Sequence, residues 1–78
     1  MTTQPDATRG IASAASAALK AAGISQRDAA ELTGIPLPTL SRRLTGKTPF
    51  KTTELEVIAQ ITGTTLTDIV LRGTENAA

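Results

Sequence analysis

The sequence predicts an all-α fold, a compact bundle of five short helices, and three observations lead there. Apolar residues recur at a 3.6-residue spacing along most of the chain, and no alternating strand pattern competes with it. Gly23, Gly34, Gly46, Gly63 and Gly73 each follow such a stretch, where a left-handed residue would end a helix. The β-branched runs are mostly threonine and fall where helices would begin.

The elements follow in order. Thr8 or Asp6 can cap a first helix whose apolar face is Ile11, Ala15, Ala18, Leu19 and Ala22. Ser25 caps the second, with Asp28 near the positive end of its dipole and Ala29, Ala30 and Leu32 facing inward. Pro36 and Pro38 are excluded from a helix interior but fit a first turn. A third helix therefore runs from about Leu37 to Gly46. Lys47 to Lys51 form a loop. Thr53 and Glu56 make a capping box for a fourth helix, with the stripe Leu55, Ile58, Ala59 and Ile61. Thr65 or Thr67 caps a fifth through Leu66, Ile69 and Val70, closed at Gly73. Residues 1–7 read as a flexible arm, 8–73 as the domain, and 74–78 as a frayed tail.

Composition narrows the chemistry. Seventy-eight residues, 40% of them hydrophobic, make one domain with a small core. The chain has no Cys, so a disulfide scaffold is excluded, and no His, so a His-based triad or ordinary zinc site is excluded too. No apolar run reaches the ~20 residues of a membrane span, and the polar start carries no secretory signal, so a cytoplasmic protein without a membrane role is expected. The net charge is only +1, yet Arg42, Arg43, Lys47 and Lys51 lie within residues 37–51 with no acid among them. Such an island attracts a polyanion, or is simply a solvated cluster.

Two short helices joined by a tight glycine turn are the pattern of a helix-turn-helix. Counting Gln26 as first, Ala30 is fifth, where a small residue faces the next helix. Gly34 is ninth, where φ is positive, and Leu40 is fifteenth, in the wedge between the helices. Residues from about Ser25 to Val70 resemble the domain of phage Cro and CI repressors, the Xre family. The matching pieces are Ser25 to Leu32, Gly34-Ile35, Thr39 to Arg42, Gly46-Lys47 and Pro49, then Leu55 to Ala59 and Leu66 to Ile69. The resemblance implies a lambda-repressor-like fold, double-stranded operator DNA as ligand, no cofactor, and a homodimer on paired half-sites. Two features depart from the family: Pro36 replaces a side-chain N-cap, and Arg43-Leu44 exchange the usual apolar-polar order.

A helical wheel at about 100° per residue orients the third helix. Leu40, Leu44 and Leu37 cluster on one side, and Arg42 points almost directly away. Arg42 is thus expected in the major groove, where a guanidinium bonds guanine O6 and N7 together. Pro38 and Thr39 flank it for thymine methyl contact, with Ser41 a weaker candidate. Arg43 lies on the border and is assigned to a phosphate; in the plainer alternative both arginines hold phosphates. Thr45, Lys47, Thr48 and Lys51 follow in or beside the loop as phosphate contacts, which position without specifying. The resemblance adds Gln26 as a phosphate contact that braces the third helix. Phe50 is expected as a core plug beneath the loop.

Competing readings fit less well. Gly46-Lys47-Thr48 ends like a P-loop, but position 41 is Ser and a helix precedes it instead of a strand. The carboxylates sit at helix starts, where they offset the dipole, so neither an enzyme nor a small-molecule substrate is expected. The serious rival is a helical protein-interaction module of antirepressor or antitoxin type. It would favour aromatic and apolar exposure where this chain has Arg, Lys and Thr. The C-terminal Leu66, Ile69, Val70 and Leu71 either supply a modest dimer interface or simply close the core.

Overall fold

The computed structural model describes residues 6–76, as α1 (Asp6–Ala21), α2 (Gln26–Thr33), α3 (Leu37–Leu44), α4 (Thr52–Thr62) and α5 (Leu66–Asn76). The described residues contain no strand. All five expected helices are present, and their punctuation is chemical. The Ser25 hydroxyl accepts the Asp28 N–H at 3.1 Å to start α2, and Thr65 does the same for Asp68 at 3.0 Å in α5. Gly34 ends α2 at φ 78°, its N–H donating to the Ala30 carbonyl. Pro36 opens α3 with no side-chain cap.

The α2–α3 turn carries one more brace. The Thr33 hydroxyl donates to the Ala29 carbonyl at 2.7 Å and accepts the Ile35 N–H at 3.2 Å. It ties the last turn of α2 to the first residue beyond Gly34. Ala29 is fully buried there, while Ala30, expected at the crossing, is half-buried against the same cluster.

The core is lean: Ala12, Ala14, Ala15, Leu19, Ala29, Ile35, Leu40, Leu44, Leu55, Ile58, Ala59 and Ile69. Such small side chains bury enough surface only if the helices approach closely. Helices α1 and α5 approach closely where Gly10 meets Gly73. A Cβ at Gly10 would overlap the Gly73 carbonyl oxygen, and one at Gly73 would stand 2.7 Å from Ile11 Cα. Neither glycine has positive φ, so what the crossing uses is the missing side chain.

Several expectations are corrected. Gly73 does not close α5, which continues to Asn76, because its role is to admit α1. Helix α1 already includes Asp6 and Ala7, inside the segment expected as an arm; residues 1–5 and 77–78 lie outside the described residues. Leu32 faces solvent at 59% exposure, whereas Ala29 is the buried residue of α2, and Ala22 is also exposed beyond the end of α1. Thr53 and Glu56 do not cap α4. Its N-cap is Lys51, whose N–H donates to Glu54 Oε1 at 2.8 Å. Of the C-terminal apolar residues, Ile69 closes the core, Leu66 and Val70 are half-buried, and Leu71 is 55% exposed.

Substituting Gly10 with Ala should overpack the crossing and destabilise the protein by about 1–3 kcal/mol, although Ala is the better helix former. Urea unfolding should show a lower midpoint at unchanged slope. A stabilised Gly10→Ala variant would contradict the close crossing.

Candidate nucleic-acid interface

Helix α3 is fixed in rotation by its leucines. Leu40 is fully buried and Leu44 nearly so, so the opposite side is open. Arg42 lies there, exposed, beside exposed Pro38 and half-buried Thr39 and Ser41. Leu37 departs from the wheel: its first-turn position stands off the core and leaves it 37% exposed.

The last turn of α3 passes into the following loop without slack. The Arg42 carbonyl accepts the Lys47 N–H at 3.0 Å, the Thr48 N–H at 3.4 Å and the Thr45 hydroxyl at 3.1 Å. Gly46 makes the reversal at φ 81° and packs against Arg9 of α1, where an added Cβ would stand 3.3 Å from Cγ. The Arg42 backbone is therefore pinned while its side chain projects. Thr45, Lys47 and Lys51 are exposed in the same stretch, and Thr48 is half-buried. Phe50 sits half-buried against the core, the plug expected beneath this loop. Gln26 is exposed at the start of α2.

Arg43 has another job from the one expected of it. Its Nε lies 2.8 Å from Glu54 Oε1, an ion pair whose N–H is not aligned for a hydrogen bond. Its Nη1 donates to the Pro49 carbonyl at 3.0 Å. The two side chains are only 13% and 15% exposed. Because the same Glu54 oxygen accepts the Lys51 N–H, one carboxylate holds the end of α3, the loop and the start of α4 together. The guanidinium assigned to a phosphate is thus turned onto the protein. Glu54 was missed; its signal was the three-residue step from Lys51, hidden by the more usual Thr53 cap with Glu56.

Arg42, Lys47 and Lys51 have no ion-pair partner among the described residues, whose two ion pairs are Arg43–Glu54 and Arg72–Asp68. The exposed surface of α3 and its loop is thus cationic and hydroxyl-bearing, which suits phosphates and base edges. Among the described residues no group of three His, Cys, Asp or Glu side chains gathers as a metal site needs, and no helix is long and apolar enough to cross a membrane.

The helix-turn-helix family model matches residues 16–69, more than half of the chain. The chain belongs to the Cro/CI-type helix-turn-helix family. It has the lambda-repressor-like all-α fold, and its family is one of DNA-binding regulators. No curated protein and no solved structure matches it.

Removing the Glu54 carboxylate leaves the nearly buried Arg43 guanidinium without its ion-pair partner and the exposed Lys51 N–H without its charged acceptor. Glu54→Ala should cost about 1.5–3 kcal/mol, the range for hydrogen bonds to charged groups. Glu54→Gln, which keeps an oxygen for the Lys51 N–H, should cost less. Urea midpoints of the two variants measure the difference; wild-type midpoints for both would show the strut to be idle.

Proposed function

We propose that this protein is a sequence-specific, double-stranded DNA-binding regulator that reads operator half-sites with α3, acting as a small Cro-like repressor of a phage or prophage. The observation that carries the reading is the burial of Leu40 and Leu44, which leaves Arg42 outermost on a helix whose end is locked to a cationic loop. Arg42 reads a base pair, with Pro38, Thr39 and Ser41 beside it. Thr45, Lys47, Thr48, Lys51 and Gln26 hold phosphates and set the register. Repression follows by occupation of promoter DNA. Dimeric binding puts half-sites about 34 Å apart, one helical turn, or a multiple of it.

A protein-interaction module would need an apolar face on α3. Leu37 is the one large apolar side chain exposed there, and Pro, Thr, Ser and Arg occupy the rest of the open side, which favours DNA.

Unbiased selection of bound duplexes tests the proposal and yields site, symmetry and spacing together. Affinity for the selected site should fall steeply between ~50 and ~200 mM salt. Arg42→Ala should relax preference at one position per half-site and cost about 1–3 kcal/mol, whereas Lys47→Ala should weaken all sequences alike and shallow the salt slope by about one. Unchanged relative preference in Arg42→Ala would overturn the base-reading role; failure to enrich any duplex would overturn the function.

A further inference from the structure

Two grooves flank α1, and their charges are opposite in character. One runs between α1 and the α5 side of the molecule and includes Asp68, Arg72 and Glu75, with Arg72 already paired to Asp68 at 3.0 Å. The other runs between α1 and the end of α3. Arg9, Lys20 and Lys47 line it together with Ser13, Ser16 and Thr45, and no carboxylate among the described residues does.

We infer that this second groove is a further phosphate-binding site, along which the DNA backbone continues past the α3–α4 loop onto α1. The inference rests on the duplex-binding reading above and extends the contact surface to Arg9 and Lys20. Four arguments support it. First, the side chains converge by sequence: at about 100° per residue, Arg9, Ser13, Ser16 and Lys20 fall within roughly 60° of one another on α1. Second, Arg9, Lys20 and Lys47 have no ion-pair partner among the described residues, so an arriving anion displaces no internal carboxylate. Third, the groove is continuous with the proposed interface, since Lys47 belongs to both. Gly46, which packs on Arg9, joins the two surfaces.

Fourth, the shape of the groove narrows the kind of ligand it can take. At about 760 Å³ the groove is as large as many small-molecule sites. However, it is open, its apolar lining is Ala12, Ala17 and Leu44, and it has no aromatic wall to enclose a compact ligand. Arg9 and Lys20 are about 16 Å apart along the axis at ~1.5 Å per residue. At ~3.4 Å per base pair that corresponds to roughly five steps of duplex, so each cation meets a different phosphate. Cations and hydroxyls spread along an open trough suit a repeating backbone charge better than a single anion.

The test uses the full-length protein and the duplex it selects. Lys20→Gln and Arg9→Gln each remove a charge, and Gln at position 9 keeps the Cγ that packs on Gly46. Each variant should shallow the dependence of log affinity on log salt by about 0.9, and the double variant by about 1.8. Relative preference among sequences should stay unchanged. Phosphate-ethylation interference should show contacts in the wild type that disappear in Lys20→Gln while those lost in Lys47→Ala are distinct. Thermal unfolding verifies that both variants fold. If both bind with the wild-type salt slope, the groove is not a phosphate site, and the duplex-binding reading stands without it. If the wild-type protein selects no duplex at all, both readings fall.

Discussion

The seating of Leu40 and Leu44 governs what α3 can do. A helix of eight residues has little intrinsic stability in water, so packing holds it in place. Burying those two leucines fixes not only its position but also its angle about its own axis. Side chains four apart share a face, and a residue midway between them must leave on the other side. Arg42 is that residue. Its exposure therefore follows from a hydrophobic constraint on its neighbours rather than from any attraction exerted by solvent or ligand.

The same constraint separates two adjacent arginines. Arg43 is about 100° further round the helix, where it faces the start of α4. There a guanidinium is nearly buried and must be paired. Glu54 and the Pro49 carbonyl supply the partners. Guanidinium suits this place better than an ammonium, because its fork can grip a carboxylate and a carbonyl in different directions. The strut also limits the freedom of the loop that carries Lys47, Thr48 and Lys51. Phosphate contacts made from a preordered loop lose less conformational entropy on binding.

Much of this was legible in the sequence because it depends on local chemistry. Ser25, Gly34 and Gly63 announce caps through requirements of their own backbone, and the helical spacing of Leu40 and Leu44 gives the rotation of α3. What was not legible depends on residues distant in sequence. Gly73 looks like a terminator until α1 is laid across it, because a missing Cβ serves a left-handed turn and a close crossing equally well. Leu32 follows the inward pattern of α2, yet Ala29 is the residue of that helix that the neighbouring helices bury. Arg43 and Glu54 are eleven positions apart, and only the α3–α4 geometry brings them to 2.8 Å. The grouping of Arg9 and Lys20 with Lys47 was hidden for the same reason: the basic island between residues 37 and 51 was visible, its extension onto α1 was not.

That extension changes the meaning of a net charge of +1. A nearly neutral protein gains little long-range attraction to a polyanion from its net charge, so the placement of its charges matters more. Its charges are nevertheless segregated, with Arg42, Lys47 and Lys51 on the α3 side and Asp68 and Glu75 beside α5. A polyanion would be drawn to the α3 side more than to the α5 side. Arg72, paired with Asp68 on the far side, is a cation whose own neighbour mutes it there. The lean core fits this arrangement. Close glycine and alanine packing of α1 on its neighbours leaves room for a small body whose surface, rather than its interior, is given over to recognition.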